Sequence, residues 1–460
     1  MTASIGVAPA PRVAPRRSRL DTGTTPGKLR ALLGLLVILS LAWGVLAALT
    51  AYQHASAASN VVAVSEPLTL DAEQIYQNLS DANATAANAF LAGGLEPAAA
   101  RQRYEADISR AALRIEAASA MEGASAARTT APATLTGKST ATGDDLAFLS
   151  ANLPLYTGQM ETARADNRLG IPLGAAYLRE ASTLLQGSLL PGSQRQSTLL
   201  DAASSIDANE NALLTSASAQ ATGLPLMIIS IIVGLAICYV LVRTARWLAR
   251  HTHRVINGGL ALALVVAVVS VAWLAGAYAV GRTELLHAQQ NGSGPAEAFA
   301  RADVAALEAH ADESLTLIDN SGDDSYQAAF GTLKQQLGPG PGTLLAAVRA
   351  APGVSAAHAQ AAAAAAAAWY SAHAALRKSD DGGDHVMAVN SALSGAAATQ
   401  FAALSTALSD GIAADQAVFA ANAKSGRNAF TGLAIGMIVA SLAMVAGCAW
   451  GLVRRLAEYR

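Results

Sequence analysis

The stretch "LPLMIISIIVGLAICYVLVRTARWLAR", residues 224–250, is an uncharged apolar run that ends in regularly spaced arginines. A helix rising about 1.5 Å per residue needs about 20 apolar residues to cross about 30 Å of hydrocarbon, and Leu224–Val242 has that length. Ala31–Ala51, Gly258–Val280 and Ala429–Val453 repeat the pattern, and none of the four runs contains Asp, Glu, Lys, Arg or His. With 52% hydrophobic and 14% charged residues, the 460-residue chain is too apolar for an ordinary soluble enzyme. The first run exceeds the roughly 7–15 apolar residues of a cleaved signal peptide, so it reads as an anchor. Four transmembrane helices follow.

Charge orients them. The leader 1–30 carries Arg12, Arg16, Arg17, Arg19, Lys28 and Arg30 against Asp21, and the loop after the second run carries Arg243, Arg246, Arg250 and Arg254 with no acid. The tail "LVRRLAEYR" (452–460) adds Arg454, Arg455 and Arg460 against Glu458, whereas 52–222 and 281–428 are both acidic. The excess of basic residues predicts that both termini and the loop face the cytoplasm. The expected order is a basic leader (1–30), a span (31–51), an extracytoplasmic bundle (52–222) and a span (223–242). A cytoplasmic loop (243–257), a span (258–280), a second bundle (281–428), a span (429–453) and the tail (454–460) complete it. The fold class is all-α, a tandem repeat of span, four-helix bundle and span in the plasma membrane.

The large segments read as helical because alanine is abundant and no sustained period-2 alternation appears. In "EPAAARQRYEADISRAALRIEAAS" (96–119), Glu96-Pro97 makes a helix start and Tyr104, Ile108, Ala111 and Ile115 share one face. Val304, Leu307, Ala311, Leu315 and Ile318 form a second stripe. Breakers at Gly93-Gly94, 127–144 and Pro191-Gly192 divide the first segment into four stretches, and those at 320–324, 338–342 and 379–384 divide the second likewise. First and last helices are expected to continue from the spans, with only Gly223 interrupting the second. The alanine run 361–368 reads as low-complexity helix, and Cys238 and Cys448 as small packing residues within spans.

One stretch departs from bundle patterning: "LYTGQMETARADNRLGIPLGAAYLREAS", 155–182. Gly170, Pro172 and Gly174 interrupt helical spacing, and Tyr156, Arg164, Asn167, Arg168, Tyr177, Arg179 and Glu180 surround the break. A kink satisfied by its own side chains and a contact site for a partner are both open, since guanidinium groups suit carboxylates on a docking protein. In "AHADESLTLID" (309–319), Asp312 and Glu313 read as a solvated acidic face, with partner contact the alternative. Arg243, Arg246, Arg250, Arg254, Arg454 and Arg455 read as topology and lipid-headgroup signals, with relay of a signal as the second role.

No catalytic pattern stands out. The chain has no HExxH, phosphate loop, GxSxG or paired CxxC, and its eight histidines are scattered. "HTH" (251–253) reads as an interfacial loop. The reading is therefore no enzyme, no cofactor, no metal and no nucleic acid. Polar transport usually leaves ionisable residues in the spans, which makes a transporter or channel subunit the weaker alternative.

Two spans bracketing an external bundle resemble the sensory half of chemoreceptors and histidine kinases, and "LVRRLAEYR" resembles the start of a HAMP linker. The tandem plan, with "YTGQMETARADNRLGIPLGAAYLREAS" (156–182) and "ADESLTLID" (311–319), is similar to the GlnX-like four-pass proteins of actinobacteria. That resemblance implies an intermediary between an extracytoplasmic lipoprotein that binds glutamate, glutamine or aspartate and cytosolic protein kinase G, a Ser/Thr kinase. Cytoplasmic pieces of about 30, 14 and 7 residues fall short of the roughly 40–60 that bury a core, so output is expected to belong to another chain. Direct sensing of a small ligand by a bundle remains the alternative, and homodimerisation is left open.

Overall fold

A computed structural model describes residues 25–94, 96–128, 141–187, 197–252, 257–319, 324–338, 340–350 and 356–457. Most of the expected breaker at 127–144, Pro191-Gly192, the leader residues Arg12, Arg16, Arg17 and Arg19, Arg254 and Arg460 lie outside the described residues, whereas Arg30 is described and exposed.

The chain runs through α1 (Thr25–Asn60), a π segment (Val61–Ser65), α2 (Glu66–Leu91), α3 (Ala98–Arg128), α4 (Ala141–Arg168), α5 (Leu173–Gln186), α6 (Leu199–Ala221) and α7 (Pro225–Thr252). It continues with α8 (Gly258–Ala288), a second π segment (Gln289–Ser293), α9 (Gly294–Ile318), α10 (Ser325–Leu337), α11 (Leu344–Ala350), α12 (Ala356–Asp381), α13 (His385–Leu393), α14 (Ala396–Ala429) and α15 (Leu433–Ala457). No strand occurs among the described residues. The halves share punctuation. Each carries a π segment after its first apolar helix, and each breaks before its last, at 222–224 and 430–432. Pro225 opens α7, where its missing N–H costs nothing. Gly432 has φ 75° just before α15, a conformation costly for other residues. Helix is therefore uninterrupted from Gly27 to Leu91 and from Gly258 to Ile318, whereas the expected continuity fails at 222–224 and 430–432.

The protein is an all-α membrane protein with four helices long and apolar enough to span a bilayer. Residues 1–54, 223–279 and 430–460 form one compact unit, and 55–222 with 280–429 form the other. In the first, large apolar side chains such as Ile38, Ile232 and Ile435 face outward, while Trp43, Leu274 and Met437 are buried. Small residues let the helices approach: a Cβ on Gly259 would lie 2.4 Å from Gly451 N and 2.5 Å from Gly447 O. Membrane helices associate through such packing because lipid gives apolar residues no reason to leave it. Hydrogen bonds add specificity, buried from Trp43 Nε1 to Ser230 O (3.1 Å) and from Ser441 Oγ to Ser40 O (2.9 Å), and partly buried from Asn257 Nδ2 to Gly451 O (2.9 Å).

The second unit joins both large segments in a single body. Their first helices, α2 and α9, pack along each other. Alanines 82, 86 and 87 on α2 and 302, 305 and 306 on α9 are buried. One core gathers α2, α3, α4, α5 and α6 around Ile75, Leu149, Tyr156 and Ile206 and also takes in Leu315 of α9. A second gathers α9 to α12 and α14 around Phe299, Phe330, Trp369 and Leu404 and takes in Ala84 of α2. Asn88 Nδ2 donates to Ala392 O at 3.1 Å, and Arg179 pairs with Asp319 at 3.1 Å, further ties between the segments.

Candidate functional site

The break at 155–182 reverses the chain, which corrects the expected kink. A Cβ on Gly174 would lie 2.8 Å from Ala163 O, and Gln159 Nε2 donates to Glu180 at 3.0 Å. Pairs 163/174 and 159/180 converge on a common centre, so α5 runs back along α4. Gly170, at φ 67°, occupies the turn, and Ile171 N donates to Asp166 O at 2.9 Å. Pro154 lies inside α4, with no boundary there.

The residues flagged around this break have different roles. Tyr156 is fully buried in the core, and Tyr177 packs against that core half-buried. Arg164 is 7% exposed; its guanidinium stands 3.9 Å from the centre of the Tyr104 ring and pairs with Glu161 (2.9 Å) and Glu96 (3.3 Å). Asn167 Nδ2 donates to Phe90 O (3.0 Å) at the last turn of α2 and to Gly93 O (3.4 Å) just beyond it. Arg179 is taken by Asp319, and Glu180 by Gln159. The turn itself is open to solvent. Arg168 is exposed, and Leu169 (74% exposed), Ile171 and Leu173 project apolar side chains beside it. The structure thus separates a supporting set, Arg164, Asn167 and Arg179, from an accessible tip at 168–173.

Asp312 and Glu313 do not form a solvated face. They are 2% and 1% exposed. Most of α9 is enclosed, because α2, α10, α11 and α14 all pack against it. Glu313 Oε1 lies 2.7 Å from His373 Nδ1, its Oε2 lies 3.2 Å from His310 Nδ1, and Trp369 Nε1 donates to Oε2 at 3.4 Å. Burial alone would raise this carboxyl; the two histidines overcome it and hold the pKa at about 2. His310 stacks on Phe401 (3.9 Å between centres) and His373 on Phe330 (3.7 Å). Asp312 is pushed well above the usual carboxylate range by burial and by the charge of Glu308. His310 and Phe401 also line a cleft of about 450 Å³ shared with Asp81, Asn88, Arg103 and Ser405. Asp81 closes one side by accepting from Arg103 Nε (3.0 Å) and Nη2 (2.8 Å).

A further acidic group was not picked out from the sequence. Glu66 and Glu73 on α2, Asp207 on α6 and Glu297 on α9 line one cavity with Gln416 and Phe419 of α14. Their only sequence signal is the seven-residue spacing of Glu66 and Glu73, which puts both on one helical face. No group of His, Cys, Asp and Glu suited to a metal ion occurs among the described residues.

Arg243, Arg246 and Arg250 are exposed along one face of α7, and Arg454 is exposed on α15. The side chain of Arg455 lies outside the described set.

Residues 57–219 match a family described as "Actinobacterial sensor domain". This interval runs from the end of α1 to the end of α6 and includes the hairpin tip and the first core. No curated protein and no solved structure matches the chain. The protein is a multi-pass membrane protein whose residues 57–219 are similar to a sensor domain.

Proposed function

We propose that this membrane sensor is an enzyme-free signal transducer: its large helical unit receives a solute-binding lipoprotein outside the cell, and its cytoplasmic arginine clusters pass the state to a Ser/Thr kinase. The observation that carries the reading is the tip at 168–173 within the sensor-domain interval. Leu169, Ile171 and Leu173 stand in water beside Arg168, for which no ion pair is seen among the described residues. Exposed apolar groups next to a free guanidinium suit a folded partner that offers an apolar patch and a carboxylate. The GlnX-like resemblance supplies the class of partner, a lipoprotein loaded with glutamate, glutamine or aspartate, and the Lys/Arg clusters beside the spans in the leader, the 243–256 loop and the tail support the outward placement of 52–222 and 281–428.

Relay would follow from helix repacking. A partner that prefers one packing of the helical unit shifts the populations of its helices, and packed elements commonly move by about 1–2 Å in such transitions. The test is capture of the lipoprotein by full-length protein in membranes. Combined Leu169→Asp, Ile171→Asp and Arg168→Glu substitution should abolish capture while leaving membrane abundance unchanged. Wild-type capture by that variant would refute the tip as the docking surface.

The partly open cavities favour a second reading, direct recognition of a small ligand by the helical unit. It predicts a ligand response in the absence of any lipoprotein.

A further inference from the structure

We infer that the cavity between α2, α6, α9 and α14 is a binding site for the amino end of a small organic amine. It has a volume of about 40 Å³ and is partly open. Carboxylates of Glu66, Glu73, Asp207 and Glu297 line it, with Asn211 and Gln416 as neutral polar groups and Leu70, Leu214 and Phe419 as apolar wall. No lysine, arginine or histidine is among its described lining residues.

An acidic cluster alone would be a solvated feature; Glu73 makes the difference. Its Oε1 is closed off from solvent and has no hydrogen-bond partner, while Gln416 Nε2 donates to Oε2 at 3.4 Å. A buried carboxylate oxygen without a donor costs free energy until a donor arrives. An ammonium group offers three donors and a charge, and the apolar wall accommodates a short alkyl chain.

The backbone around the cavity is irregular. Glu66 directly follows the first π segment, and Ser293 is the last residue of the second. Widened helical turns of this kind are rare and frequently border functional sites. At the second one, Gly292 lets the backbone approach α14: a Cβ there would stand 2.6 Å from Phe419 Cβ.

The proton affinities agree with an unfilled need for positive charge. Burial, then the charge of Asp207, raises Glu73 to about 8, with Glu297 and Asp303 adding to it and Gln416 opposing. Burial raises Glu66 to about 7, and burial with Glu297 raises Asp207 to about 6, against the pull of Arg301. Arg301, which opposes the rise at Asp207, is bonded to Glu297. The carboxylates belong to three helices and form no metal-holding group, so a point-charged metal ion fits less well than an ammonium with several donors.

The experiment uses the full-length protein in detergent at fixed ionic strength, with ethylammonium chloride as probe and tetraethylammonium and calcium chlorides as controls. Ethylammonium should raise the melting temperature saturably, and the larger cation should not. Affinity should increase up to about tenfold per pH unit between pH 6 and 8, as Glu73 gives up its proton to binding. Glu73→Gln should weaken binding by at least about tenfold while the unliganded melting temperature stays equal or rises, because the variant removes an uncompensated carboxylate. A variant that merely damaged the fold would lower that baseline. Asp207→Asn provides a second test at a less buried wall position and should weaken binding in the same direction. Equal responses to the two ammonium ions, a calcium response lost with Glu73→Gln, or undiminished ethylammonium binding by that variant would each overturn the inference. The measurement needs no lipoprotein or kinase, so its failure leaves the proposed relay standing.

Discussion

Glu313 Oε1 on α9 lies 2.7 Å from His373 Nδ1 on α12. This contact, with His310 on the other oxygen, organises the core around Trp369. Glu313→Gln turns one acceptor into a donor against an imidazole. The variant should lose about 3–5 kcal/mol, the usual cost of stripping one partner from a buried charged network, read by chemical denaturation in detergent. The carboxyl is held below its ordinary range, so its stabilisation is full above about pH 4.5 and fades as pH falls toward 2. The variant should therefore flatten the acid limb of stability.

Arg164 and Arg168 are neighbours in sequence with opposite expectations. Arg164→Glu would set a third carboxylate between Glu96 and Glu161 and remove the cation from Tyr104, so thermal stability should fall by several degrees. Arg168→Glu should leave stability within about 0.5 kcal/mol, as for most exposed sites. It should weaken lipoprotein capture by about 1–3 kcal/mol where the pair is desolvated on docking. Loss of stability by both variants would show the tip to be structural.

The span packing offers a steric test. Gly259→Val would place side-chain atoms against the backbone of Gly447 and Gly451 and should lower the melting temperature in detergent. Gly276→Ala, whose Cβ would meet nothing within 4 Å, should be neutral.

Asp303 gives a base-limb counterpart. Burial first, and the charge of Asp81 second, raise it to about 7, against the pull of Arg103. A carboxyl raised on folding favours the folded state at low pH and loses that contribution as pH climbs through about 7. Asp303→Asn should therefore gain stability relative to wild type as pH rises from about 4 to 7, by about 2–3 kcal/mol more at pH 8 than at pH 5. An equal effect at both pH values would assign the change to packing.

Membrane spans, helicity and several breakers were legible in the sequence because each depends on local properties. Leu224–Val242 is apolar and long enough whatever surrounds it, Gly93-Gly94 ends a helix on its own account, and alanine favours helix at every position. The α4–α5 reversal was only half legible, since Gly170 and Pro172 break a helix equally well for a kink or a turn. Contact between Gly174 and Ala163 decides which. Tertiary structure alone determined the fate of Asp312 and Glu313. Their sequence context resembles a wet helical face, but α9 is enclosed by helices from both halves, and the partner of Glu313 is sixty residues away at His373. The cavity lined by Glu73, Asp207 and Glu297 has the same origin: its walls come from helices far apart in the chain, and only their packing brings those carboxylates together.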